Sequence, residues 1–184
     1  MDYAFEEVEN EHLDATERSW QAQLERLDYA LPPSRFLHVI SAARQRLNEE
    51  MPVAGRGDVG WYGVFDGNEP LVARALIEVS YARPQRDNAW LKMLSMRAEP
   101  DLDEGSAEEE SLRIRRIQGV MTEALKGALY LSNTSMQTST VKIWCDDIAQ
   151  VQFYEMLGTH LGTEASIRIE RHGARWVVLQ LRQK

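Results

Sequence analysis

Five residues near the end of the chain, Val141-Lys142-Ile143-Trp144-Cys145, alternate apolar and polar and run straight into Asp146-Asp147. Behind the Asp pair, Ile148, Val151, Tyr154, Leu157 and Leu161 recur at helical spacing through Phe153-Tyr154-Glu155-Met156-Leu157-Gly158. A half-buried strand that feeds a helix through an Asx pair is a crossover unit. Such a unit needs parallel strand neighbours, which removes all-α and purely hairpin-built folds from consideration.

The rest of the chain supplies those neighbours. Tyr3, Phe5 and Val8 suit a short opening strand, and residues 12–27 carry Leu13, Trp20, Leu24 and Leu27 near helical spacing. Pro32-Pro33 breaks the chain, with Ser34 as N-cap of a helix whose stripe is Phe36, Ile40, Ala43 and Leu47. Residues 61–65 read as a strand reaching the hairpin turn Asp66-Gly67-Asn68. Ala73, Ala75, Ile77, Val79 and Tyr81 then share one face of a second strand. Residues 90–96 are largely apolar, the pattern of a central strand buried on both faces. A helix through Val120, Met121, Leu125, Ala128 and Leu129 follows, then a polar loop over 132–140. The final hairpin turns at His172-Gly173 between Ile167, Ile169 and residues 176–181.

Length and charge bound the function. The 184 residues suffice for one domain with a real core, and a net charge of −8 argues against a nucleic-acid binder. Seven acidic residues and no basic one lie between Glu99 and Ser111, and Arg113-Ile114-Arg115-Arg116 follows directly. Asp101, Asp103 and Glu104 lack the spacing of a calcium loop, so a solvated acidic stretch is expected. The single cysteine, Cys145, alternates with Val141 and Ile143 and reads as an inert core thiol. His12, His38, His160 and His172 share no spacing, so no metal site is expected. Neither a membrane span nor a signal peptide is indicated, and the cytoplasm is the expected compartment.

The element order and the Asp147…Phe153-Tyr154…Leu157-Gly158 run resemble the GCN5-related N-acetyltransferases over nearly the whole chain. The resemblance implies an α+β (α/β-like) fold: a mixed, mostly antiparallel central sheet with flanking helices. It implies a single domain over 1–184, with an acidic insertion at about 99–111. The implied function is acyl-CoA-dependent N-acyl transfer, with acetyl-CoA as cosubstrate and a small-molecule or peptide amine as acceptor. The acidic stretch would suit a cationic acceptor such as a polyamine, an aminoglycoside or a Lys-rich peptide. A non-catalytic module of the same fold that binds a protein partner is the alternative. A homodimer contact through Trp61, Trp90 and Trp176 is open, with core positions as the other reading.

In that family acetyl-CoA lies in a gap between two parallel strands, here residues 90–96 and 141–145. Leu94, Ser95 and Met96 would pair with the pantetheine arm as an added strand does. The pyrophosphate would rest on backbone N–H groups at the start of the next helix, where the family carries Arg/Gln-x-x-Gly-x-Gly/Ala. Arg116-Ile117-Gln118-Gly119-Val120-Met121 offers Arg116, Gln118 and Gly119, with Met121 in place of the last small residue. It also stands about 20 residues beyond Met96. One helix over 108–132, with Gly119 in its interior, is the competing reading. Tyr154 holds the position of the family's general acid and also lies on the apolar stripe of its helix. Asp147 holds the family's Asn position near the cofactor. The candidate bases are Glu78, Glu99 or an ordered water.

Overall fold

A computed structural model describes residues 2–27, 32–49, 58–82, 89–103, 110–161 and 167–181. In chain order the elements are β1 (Tyr3–Glu7), α1 (Asn10–Leu27), α2 (Ser34–Leu47), β2 (Asp58–Asp66), β3 (Glu69–Ala82) and β4 (Trp90–Ala98). They continue with α3 (Pro100–Asp103), α4 (Glu110–Asn133), β5 (Thr140–Trp144), α5 (Ile148–Leu161), β6 (Ile167–His172) and β7 (Trp176–Leu181). The strands form one seven-stranded sheet in the order β1-β2-β3-β4-β5-β7-β6. β1 with β2, β5 with β7 and β6 with β7 pair antiparallel, whereas β4 and β5 pair parallel. A meander, a parallel crossover and a closing hairpin on a mixed sheet are what the sequence implied.

Two compact units are distinguished. The first takes Met1–Pro52, Gly60–Ile77 and Arg97–Gly127; the second takes Val53–Val59, Glu78–Met96 and Ala128–Lys184.

The first unit is built on the faces of α1 and α2. Leu13, Trp20 and Leu24 of α1 pack with Phe36, Val39, Ile40 and Ala43 of α2 over Trp61, Phe65, Ala73 and Leu76. Each leucine, isoleucine, valine or phenylalanine among them, taken fully out of water, contributes about 1.5–3 kcal/mol. The Trp20 ring meets Phe36 edge-on, with centroids 6.4 Å apart. One turn of α1 also anchors a strand. Trp20 Nε1 donates to the Ala73 carbonyl at 3.0 Å, and the Ala73 N–H donates to Thr16 Oγ1 at 2.9 Å. Trp61 is 5% exposed and belongs to this core, so it is no dimer contact.

Two sequence expectations need correcting here, and one open alternative is decided. Ser34 is the first residue of α2, and Pro33 is its cap, with no side-chain hydrogen bond. The fixed φ of proline already suits a helix start, so the turn nucleates one residue early. The acidic stretch is not a solvated linker over its first five residues: Glu99 and Leu102 are 0% exposed, and α3 forms there. Residues 104–109 lie outside those described. Finally, α4 runs unbroken from Glu110 to Asn133, so Gly119 stands inside a helix.

In the second unit β7 lies between β5 and β6, with Val141↔Leu179 and Ile143↔Val177 in register. Gly173 has φ of 67°, the left-handed conformation the β6–β7 turn requires. Helix α5 packs on β6 and β7. It extends to Leu161, the last residue of the stripe read from the sequence. Val151 and Tyr154 are buried, but Ile148, placed on the same stripe, is 51% exposed at the first turn. No helix among the described residues is long and apolar enough to cross a membrane.

Candidate functional site

The parallel pair β4–β5 is short. Its register runs Leu91↔Val141, Lys92↔Lys142, Met93↔Ile143, while β4 itself continues to Ala98. β5 ends at Trp144, which is in register with Trp176 on its other side. Leu94, Ser95 and Met96 therefore follow the last parallel pair, the first two half-buried and Met96 8% exposed. Two parallel strands that part after three residue pairs leave backbone groups on the inner edge of the longer strand for an extended ligand to pair with.

Tyr154 comes up from α5 on the side of Cys145. Both are buried, at 1% and 0% exposure. The Tyr154 hydroxyl has no hydrogen-bond partner among the described residues, which is uncommon for a buried phenol. Burial first, and the nearby Cys145 second, hold its proton well above the usual phenol range. Burial pushes the Cys145 thiol up to about 12, with Asp147 and Asp146 adding to it and Arg175 opposing. The thiol is thus buried and protonated at neutral pH.

Asp147 is the N-cap of α5: its Oδ1 accepts the Gln150 N–H at 2.8 Å. Gln150 Oε1 returns a bond by accepting the Asp146 N–H at 2.9 Å, a variant of the capping box. Glu78 is half-buried on β3, between buried Ile77 and Val79.

Arg116, Gln118 and Gly119 belong to the first unit, on the second and third turns of α4. An α-helix leaves only its first four N–H groups free, and Gln118 and Gly119 lie more than a turn past Glu110. The N–H groups of Gln118 and Gly119 are inside the ladder, so this segment forms no phosphate loop. Gly119 has a different reason to be glycine. A Cβ there would stand 2.7 Å from Tyr3 Cε2, and one on Gly127 would stand 2.1 Å from Phe5 Cγ. The two glycines of α4 admit the aromatic rings of β1.

Arg116 is committed as well. Its Nη2 donates to Glu99 Oε1 at 2.9 Å. Glu99 Oε2 accepts Arg74 Nη1 at 2.9 Å and Gln23 Nε2 at 3.0 Å. Gln23 Oε1 in turn accepts the Asp101 N–H at 3.1 Å. With no exposed surface and both oxygens bonded, Glu99 is not reachable as a general base. It is a buried tie between β3, α1, α3 and α4 within the first unit. The sequence signal for it was an acid directly before Pro100, at the end of an apolar strand.

Among the described residues no group of three or more His, Cys, Asp or Glu side chains could hold a metal.

No family model matches the chain, and no curated protein does. Solved structures do resemble it in shape. An acetyltransferase from Thermus thermophilus aligns at TM-score 0.48 and 13% identity, covering 99% of this chain and 97% of that one. A NatC complex bound to Gag peptide and CoA aligns at 0.47 and 8%, covering 99% and 100%. The spermidine/spermine N-acetyltransferase SpeG from Vibrio cholerae aligns at 0.42 and 14%, covering 97% and 92%. At TM-scores below 0.5 these likenesses add no weight to the strand order, which carries the fold by itself.

Proposed function

We propose that this chain, whose sheet has the topology of the GCN5-related N-acetyltransferases, is an acyl-CoA-dependent N-acyltransferase acting on an amine. One observation carries the reading: β4 and β5 pair only as far as Met93↔Ile143, and β4 runs on beyond them. The residues that would hold the pantetheine arm of acetyl-CoA are Leu94, Ser95 and Met96, through their backbone.

The chemistry assigned to the chain's own groups is modest. The amine attacks the thioester carbon, the C–S bond breaks, and the departing thiolate takes a proton. Tyr154 has a hydroxyl that bonds to nothing among the described residues, so it is the donor in this reading. Glu78 is the candidate group to take the proton from the amine. Asp147 acts on the site by capping α5 and so fixing where Tyr154 stands.

Calorimetric titration of the full chain with acetyl-CoA tests this. Micromolar binding, followed by acetyl transfer to members of an amine panel that Tyr154→Phe slows without weakening cofactor binding, is the expected result. Arg116→Ala is unsuitable as a phosphate-site control, because it strips a buried carboxylate of a partner. A second reading, a non-catalytic module that docks a protein partner, draws on the continuous α4 and the committed Arg116. Absence of binding at millimolar acetyl-CoA would reject the enzyme and leave that reading. A cationic acceptor finds less support than the composition suggested, since Glu99 and Asp101 already face Arg116, Arg74 and Arg26.

A further inference from the structure

One face of the second unit's sheet concentrates positive charge and indole rings in an acidic chain. Lys92 and Lys142 are register partners across β4 and β5, so their side chains rise from the same face. Lys142 Nζ lies 4.2 Å and Lys92 Nζ 5.4 Å from the centroid of the Trp90 ring. Trp144 and Trp176 are register partners on the same face, their rings 5.2 Å apart and edge-to-face. α5 belongs to the other face, that of Val141, Ile143 and Cys145, because Tyr154 lies beside Cys145.

Three features of this face lack a counterpart. Like charges side by side on paired strands repel, yet among the described residues neither lysine has a carboxylate partner. Glu170, which shares the face, is engaged by Arg168 at 2.7 Å and by His172 at 3.5 Å. It stands two strands from Lys142, through Val178, a separation of roughly 10 Å at ordinary strand spacing. The buried indole N–H of Trp90 has no acceptor among the described residues. A carboxylate brought to the two ammonium groups would relieve the repulsion and offer the indole an acceptor at once. Trp144 is two residues beyond Lys142, about 7 Å along the strand, where an apolar body would continue from that carboxylate.

We propose that this face binds a flat carboxylate, with its anionic end at Lys92, Lys142 and Trp90 and its apolar body along Trp144 and Trp176. This site does not depend on acyl transfer.

The test titrates the full chain with 2-naphthoate and with its uncharged counterpart 2-naphthamide, followed by the indole N–H resonances in proton–nitrogen correlation spectra. The Trp90 signal is identified by its loss in Trp90→Phe. The expected result is a saturable shift of the Trp90 resonance by naphthoate. Binding of the amide is weaker by about tenfold, the scale of one charge-assisted hydrogen bond. Lys92→Gln with Lys142→Gln loses the preference for the acid, and Lys92→Arg with Lys142→Arg keeps it. Equal binding of acid and amide to the unaltered chain would overturn the proposal, whatever the variants do. So would no saturation at millimolar naphthoate, or an undiminished preference in the double Gln variant.

Discussion

The ring of Tyr3 occupies the place where a side chain on Gly119 would begin, 2.7 Å from an ideal Cβ. Gly127 meets Phe5 more closely still, at 2.1 Å. Alanine favours a helix over glycine by about 1 kcal/mol, and overpacking costs about 1–3 kcal/mol. Gly119→Ala is therefore expected to be near neutral, because the rim of the Tyr3 ring can shift. Gly127→Ala, which drives into the root of the Phe5 ring, is expected to destabilise by about 1–3 kcal/mol. Guanidinium denaturation of both variants checks the order, and a stabilising Gly127→Ala would contradict it.

Glu99→Gln leaves two guanidinium groups facing a neutral amide where no water reaches. Breaking a buried ion pair from one side costs about 3–5 kcal/mol. The Glu99 side chain is fully buried against Arg74 and Arg116, so a loss of that order is expected in urea denaturation. If Glu99 were instead the base of the reaction, activity would fall with stability unchanged.

Tyr154→Phe is expected to keep or slightly raise thermal stability, since it removes a buried hydroxyl that bonds to nothing among the described residues. The same change is expected to lower kcat for acyl transfer. A large drop in melting temperature would mean the hydroxyl has a structural partner.

Stability is expected to fall at alkaline pH. The Cys145 thiol is raised from 9.0 to about 12 in the folded chain, so above pH 9 the unfolded state releases a proton that the folded state keeps. The stabilisation is complete below pH 9 and is lost as pH climbs towards 12. Tyr154 shifts in the same direction. Denaturation midpoints measured across this range should decline, and Cys145→Ala should flatten part of the slope. A midpoint that rises with pH would contradict the burial of both groups.

Much of the second unit could be read from the chain because its signals are local. Alternation over 141–145, the Asp147 cap and the turn at Gly173 each depend on neighbours within a few residues. The Phe36, Ile40, Ala43 stripe of α2 is legible for the same reason, with Val39 filling the face. The candidate site was less legible where a residue's meaning lies across the chain. Gly119 looked like part of a phosphate loop because Arg-x-x-Gly carries no record of Tyr3, more than a hundred residues earlier. Arg116 looked free because its partner Glu99 sits in a run of acids that composition marks as solvated. Charge counts cannot separate a buried carboxylate from its exposed neighbours.

The position of β7 between β5 and β6 gives synthesis of the second unit an order. β5 emerges first with β4 on one side and nothing on the other, and β6 follows without a strand to join. Both wait for β7, which pairs with each along its length. Until then the growing chain displays an unpaired β5 edge, the kind of surface that recruits strands from other molecules. Lys142 and the half-buried Trp144 stand on that exposed strand.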